Sequence, residues 1–161
     1  MSEFDNTSPP PSVDGDERKE LELLRHALSA SSDVAYSWDL SSDSMTWSAN
    51  AHHVLGIDES TDISSRSSYL SRVNGADLLS LSCVQENHLY NSTPYQIEYR
   101  LRRSDGEFCW VQDHGLVEYN PDHDAEGLTS LRAVGLMRVI TKRKEKEARL
   151  EWLTNHDEVT G

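Results

Sequence analysis

The sequence predicts an α+β domain: a five-stranded antiparallel sheet with short helices on one face, flanked by N- and C-terminal amphipathic helices. Three observations carry this. From Tyr95 to Arg103, the residues Tyr95, Ile97, Tyr99 and Leu101 alternate with Gln96, Glu98 and Arg100, the period of a strand buried on one side. Asp105-Gly106 follows at once, and Asp-Gly between two β-rich runs is a hairpin signal. Two strands precede these and another follows, with helical patterns between, an order that belongs to α+β domains.

Residues 1–15 hold Pro9-Pro10-Pro11 among acids, Ser and Gly. They bury too little apolar area to offset the entropy of ordering, so a disordered acidic tail is expected. Residues 16–32 read as a helix with Asp16 as N-cap, on which Leu21, Leu24 and Leu28 follow a three-then-four spacing. That stripe packs on its own domain or forms a two-helix dimer seam. Val34 to Leu40 is rich in β-formers, Ser41-Ser42-Asp43-Ser44 is turn chemistry, and Met45 to Ser48 returns as the hairpin partner. A short helix from Ala49 to Leu55 stops at Gly56.

Tyr69, Leu70 and Val73 suggest a helical turn or two. Asp77 is expected to cap a longer helix, about Leu78 to Asn91, bounded by Pro94 and striped by Leu78, Leu81, Gln85 and Leu89. Three long strands then follow: Tyr95 to Arg103, Phe108 to Tyr119, and Leu128 to Ile140 after a polar loop, Asn120 to Gly127. A charged helix over 141–157 closes the chain. Glu145 and Arg149 pair along it, and Ala148, Leu150, Trp152 and Leu153 form an apolar patch. Alone it would be marginal in water, so it is expected to need a partner chain or a further domain.

The chain has 161 residues, 15 Lys+Arg and 28 Asp+Glu, for a net charge of −13. That field repels phosphate backbones and argues against nucleic-acid binding. No stretch approaches the ~20 apolar residues of a membrane span, and the N-terminus is not a signal peptide. A soluble, cytoplasmic setting is expected. Cys83 and Cys109 lack metal-ligand spacing and are expected to be buried and apolar in role.

The order of elements, with residue detail, resembles a PAS domain. Trp47-Ser48-Ala49-Asn50 followed by Val54-Leu55-Gly56 is similar to that family's second strand and first helix. Tyr95 to Arg103, then Asp105-Gly106 and Trp110, is similar to its tyrosine-rich strand, turn and tryptophan strand. Gly135 to Thr141, then Arg143-Lys144 and Glu147, is similar to its exit strand and linker. The resemblance implies a PAS domain over 33–141, a signalling helix over 142–157, and a relay at Val139 and Thr141. Two departures stand out: the family's exit Asp-x-Thr reads Val139-Ile140-Thr141, and its His-Pro-x-Asp reads Asn74-Gly75-Ala76-Asp77. The tail is similar to a second family. Leu150, Leu153, His156-Asp157 and Thr160-Gly161 resemble the opening of a GGDEF (diguanylate cyclase-like) domain, so 158–161 are expected to begin a truncated one.

The PAS resemblance implies a small cavity that takes haem, flavin, a metabolite or nothing. No cofactor is expected from these residues, with haem and non-covalent flavin as alternatives. Haem needs an axial ligand, and His88 on the longer helix is the candidate. The Gly-x-Asn-Cys-Arg context of flavin photochemistry is missing. His52-His53 point apart on a helix, and Asp122-His123-Asp124 reads as a solvated loop, so no metal is expected. Trp38, Trp47 and Trp110 read as core or sheet-face residues. No nucleophile–base set or phosphate loop appears, so this segment is not expected to be an enzyme.

Two functions follow as expectations. One is a sensory and dimerisation module that controls a downstream GGDEF output, with or without an EAL phosphodiesterase domain. The homodimer would form through Leu21, Leu24, Leu28, Leu150 and Leu153. The other is a docking module with a filled core that recruits a response regulator or a protease adaptor.

Overall fold

Strands Val34–Asp39 (β1) and Met45–Trp47 (β2) form a first antiparallel hairpin, with Tyr36 opposite Trp47. This computed structural model describes residues 13–89, 93–119 and 131–157. Tyr95–Arg102 (β3), Phe108–Tyr119 (β4) and Leu131–Val139 (β5) complete one sheet in the order β2-β1-β5-β4-β3, every pair antiparallel. Between the second and third strands run helices Ala51–Leu55 (α2), Arg66–Leu70 (α3) and Gly75–Leu89 (α4). The predicted α+β sheet is therefore present, strand for strand.

The period-two alternation decides what is buried. Tyr95, Tyr99 and Leu101 of β3, and Cys109, Val111 and Val117 of β4, are buried, while Gln96, Phe108 and His114 are exposed. The main core joins Val34, Tyr36, Tyr99, Leu101, Val111 and Met137 of the sheet to Leu55, Ile63, Tyr69 and Leu81. Trp38 and Trp47 pack against this core half-buried.

Local motifs hold the corners. Trp47 donates its indole N–H to the Ile63 carbonyl at 2.7 Å. The Ser48 hydroxyl donates to Asn50 at 2.6 Å and accepts the Ala35 amide at 3.0 Å, and Asn50 donates onward to the Asp33 carbonyl. The Trp-Ser-x-Asn string is thus a staple between the first hairpin and α2. Gly56 ends α2 at φ +66, and Gly106 turns between β3 and β4 at φ +90, both in the region that suits glycine.

Each edge of the sheet is covered in part. The Met45 amide of β2 donates to the Ser64 carbonyl at 2.7 Å, and Ser44 bridges Ser65. Along β3, the Arg102 amide donates to the Arg72 carbonyl at 2.7 Å, and the Asn74 amide donates to the Arg100 carbonyl at 2.8 Å. A further outward donor of β3, the Arg100 amide, is taken by the Asp77 carboxylate at 2.9 Å.

That last contact corrects the expectation for Asp77. The helix begins at Gly75, and Asn74 sits before it, its side-chain oxygen accepting the Ala76 amide at 3.0 Å. Asp77 lies in the first turn and is free to grip Arg100. A second correction concerns Cys83, which is exposed, while Cys109 is buried as expected. The described part of the last strand starts at Leu131, and the Asn120–Gly127 loop, including Asp122-His123-Asp124, lies outside the described residues.

The two flanks are helices. Val13–Ser31 (α1) belongs to a unit of its own, Met1–Ser31. It starts three residues before Asp16, so Asp16 falls in its first turn, where a carboxylate suits the helix dipole. Leu21 and Leu24 on it are exposed. Thr141–Asp157 (α5) follows β5 directly, with Leu150, Trp152 and Leu153 exposed. Residues 1–12 and 158–161 lie outside the described residues, and with them most of the predicted tail and the end of the GGDEF-like string. The last three residues of the tail predicted over 1–15 instead open α1.

Candidate functional site

Gly115 of β4 and Gly135 of β5 face each other in the sheet. A Cβ on Gly115 would stand 2.5 Å from the Tyr95 hydroxyl, and one on Gly135 would stand 2.7 Å from the Tyr36 hydroxyl. The glycine pair therefore makes room for two tyrosine heads, which hydrogen-bond to each other.

Those heads belong to a network centred on Asp113, which has no exposed surface. Tyr36 donates to one carboxylate oxygen at 2.7 Å, and Tyr99 donates to the other at 3.2 Å. With Asp113 ionised, Tyr95 donates to Tyr36 and Tyr69 donates to Tyr99, the latter at 2.7 Å. Every hydroxyl then points its proton toward the carboxylate. Burial pushes Asp113 up to about 6, against the lowering effect of Tyr36, Arg66 and Tyr99. Burial and the neighbouring carboxylate push Tyr95 up to about 12, and burial holds Tyr36, Tyr69 and Tyr99 well above the phenol range.

Beside the network lies a cavity of about 320 Å³. Trp38, Leu70, Tyr95, Val117 and Ala133 form much of its wall, Arg66 and Gln85 supply polar groups within it, and Asp43 and Glu86 also border it. Arg66, at the start of α3, is only 2% exposed. Its guanidinium stands over the Trp38 ring at 4.9 Å and the Tyr69 ring at 5.6 Å. Among the described residues, none accepts a hydrogen bond from its Nε, Nη1 or Nη2, and the amide nitrogen of the buried Gln85 is likewise unpartnered.

Magnitudes make this arrangement informative. A buried polar group without a partner costs about 1–3 kcal/mol, and more when charged. Two ring faces return about 0.5–2 kcal/mol each. They do not replace three missing acceptors on a cation that keeps its charge inside proteins. An acceptor in the cavity, whether water or a ligand, would satisfy these donors.

The exit from the core is a second feature. Val139 pairs with Val111 and packs against the core half-buried. The Trp110 backbone is held on both sides by the segment that follows: its carbonyl accepts the Ile140 amide at 2.8 Å, and its amide donates to the Thr141 hydroxyl at 3.0 Å. In the next turn Lys144 stands over the Trp110 ring at 4.8 Å, and Glu98 receives both Arg143 and Lys144. The predicted relay residues Val139 and Thr141 thus lie where sheet and α5 meet.

His88 is placed elsewhere. It is half-buried, its Nδ1 lies 2.7 Å from the Thr93 hydroxyl, and it does not line the cavity. The residues present do not fit a haem held through His88. His52 lies 3.2 Å from the Ile57 carbonyl, and no group of three metal-ligating side chains occurs among the described residues. No helix among them is long and apolar enough to cross a membrane.

Sequence reasoning missed Asp113, Arg66 and the cavity role of Gln85. Asp113 carried a signal, since it is an acid on the inward register of Cys109, Val111 and Val117. Gln85 interrupted an apolar helical stripe. Arg66 lies in a serine-rich stretch with no period to mark it.

A five-stranded antiparallel sheet, helices that border a partly open cavity beside it, and a helix leaving its last strand define an α+β domain with room for a small ligand. The family model for the PAS fold matches residues 44–131, and the chain belongs to that family. Among solved structures, the chain is similar to a sensory box histidine kinase/response regulator from Burkholderia thailandensis E264. That match has 21% identity and TM-score 0.68, covering 84% of this chain and 97% of that one. It is also similar to the N-terminal domain of a diguanylate cyclase with PAS/PAC sensor from Marinobacter aquaeolei, with 13% identity, TM-score 0.58, and 70% and 98% of the two chains covered. A PAS domain from Colwellia psychrerythraea matches at 18% identity and TM-score 0.56, covering 76% and 98%. No curated protein matches the chain.

Proposed function

We propose that the domain is an input module in which occupancy of the Arg66 cavity shifts α5 and so sets the activity of a cyclic-di-GMP-metabolising output, GGDEF with or without EAL. The observation that carries the input half is the buried, unpartnered Arg66 guanidinium beside about 320 Å³ of cavity. The route outward is short. Tyr69 flanks Arg66 and reaches Met137 of β5 at 3.3 Å, and β5 runs into α5 through Val139 and Thr141. A ligand that moves Arg66 therefore acts on a strand joined covalently to the output helix. The output half is supported by the GGDEF-like string at the chain's end, and a similar domain occurs in a diguanylate cyclase.

The test has two arms. The coding sequence beyond Gly161 is read, and the encoded protein is assayed for synthesis or hydrolysis of cyclic-di-GMP. A kinase or DNA-binding domain in that place overturns the output assignment. Dimerisation through Leu21, Leu24, Leu28, Leu150 and Leu153 belongs to the same proposal. A monomer by light scattering at high micromolar concentration overturns it.

A second reading is favoured by the outer face of the sheet. Pro94, His114, Leu116, Val134 and Leu136 line an open depression there, and Leu136 is 43% exposed. Such a face suits docking of a response regulator or a protease adaptor. Substitution of Leu136 by Glu would then abolish capture of the partner and leave ligand binding unchanged; retained capture overturns the reading.

A further inference from the structure

We infer that the cavity takes a small monocarboxylate with an apolar or aromatic body. This rests on the reading of the domain as a ligand-gated input module, and it names the chemical class of the input.

The argument starts from Arg66. A guanidinium presents its donors in a planar fork, and a carboxylate accepts two of them side by side. The ring faces of Trp38 and Tyr69 hold the guanidinium without using its N–H groups. All three of its nitrogens remain open, and Arg66 is itself part of the cavity lining. The Gln85 side chain, which also acts on the Tyr95 hydroxyl, adds an amide donor without a close partner in the same lining. An anion placed there would meet donors from two elements, α3 and α4, at once.

The rest of the lining narrows the class. Leu70, Val117, Ala133 and the Trp38 and Tyr95 rings call for an apolar or aromatic body. Asp43 and Glu86 also border the cavity, and the hydrogen bond from Ser67 holds Asp43 below the usual carboxylate range. Two acids so close disfavour a di- or trianion such as phosphate, citrate or a nucleotide. With Asp43 and Glu86 beside it, Arg66 leaves the lining no net positive charge, so a monoanion is held by the directed N–H fork of Arg66, and a second negative charge finds no further donor among the residues named.

Binding is tested on the whole chain by calorimetry and thermal shift. The probes are benzoate and phenylacetate, with benzyl alcohol, benzylamine and inorganic phosphate as comparators. Benzoate or phenylacetate is expected to bind and raise Tm, and the comparators are not. Arg66→Met is expected to weaken carboxylate binding on the order of tenfold to a hundredfold, the worth of a charged hydrogen-bond pair, and Gln85→Leu to weaken it less. Circular dichroism and gel filtration establish that each variant is folded. If Arg66→Met does not fold, Gln85→Leu and the comparators still decide.

Failure to bind either carboxylate overturns the inference, as does phosphate binding as tightly as benzoate or undiminished binding by folded Arg66→Met. Binding of the alcohol alone overturns the carboxylate class and leaves the sensor reading standing. Hydrogen exchange over 141–148 separates the two in the other direction. If benzoate binds and these amides do not respond, the ligand class holds and the sensor reading falls.

Discussion

Asp113 accepts the Tyr36 hydroxyl at 2.7 Å in a place with no exposure to solvent. The pair joins the middle of β4 to β1 across the intervening β5, and with Tyr99 of β3 on its other oxygen Asp113 ties three strands together. Two more tyrosines extend it toward α3 and toward the cavity wall.

This pair makes stability depend on pH. Burial raises Asp113 to about 6, above the value near 4 of an unfolded chain. Between about pH 4 and 6 the folded protein keeps a proton that the unfolded chain has released, so the group favours folding at the acidic end. That contribution is lost as pH rises through about 6. Asp113→Asn, which keeps an acceptor but cannot ionise, is expected to flatten this slope. Its stability relative to the parent should rise from pH 4.5 to 7, by on the order of 2 kcal/mol, in urea unfolding. Identical slopes in the two proteins would refute the assignment.

Gly115→Ala places a methyl group against the Tyr95 and Tyr36 hydroxyls, at 2.5 and 2.8 Å. Overpacking of this kind costs about 1–3 kcal/mol. The loss is expected to shrink in a Tyr95→Leu background, which removes both the hydroxyl at 2.5 Å and the ring carbon at 2.6 Å. A double-mutant cycle reads that coupling directly, and simple additivity would show that the glycine serves another purpose.

Asp77→Ala removes the acceptor of the Arg100 amide and two guanidinium bonds. A loss of about 1–3 kcal/mol is expected, with faster exchange of the Arg100 amide proton. The hydrogen bond from Arg100 holds Asp77 below the usual carboxylate range. This stabilisation is therefore full above the unfolded pKa and fades as pH falls through the lower folded value, opposite in sign to that of Asp113. Asn at this position should retain the amide contact and part of the stability.

Cys83 is exposed and Cys109 buried, with burial raising the Cys109 thiol. A thiol reagent at pH 8 is expected to titrate one group quickly and the second only on unfolding. Cys83→Ser should abolish the fast phase. Two fast thiols would place Cys109 at the surface.

Much of the sheet was legible because its signals are local. The Tyr95–Arg102 alternation, the Asp105-Gly106 turn and Gly56 each act within a few residues. Asp77 was misplaced because Asn74 offers an equivalent cap three residues earlier, and only the neighbouring strand shows which carboxylate is needed elsewhere. The cavity was illegible for a similar reason. Arg66 and Gln85 lie 19 positions apart on two helices, and neither residue type announces burial. Asp113 was visible as an acid on an inward register, but its meaning depends on tyrosines from three other elements.

The covered edges of the sheet bear on how such a domain lives among copies of itself. Ser64 and Ser65 cover part of one side, and Arg72, Asn74 and Asp77 part of the other. An edge strand paired over part of its length offers a shorter template on which a second sheet can grow. Crowded or strung in tandem with other domains, this one presents less open edge for strand-by-strand aggregation. Association is steered to side chains on helices and on the broad face of the sheet, where it can be reversible.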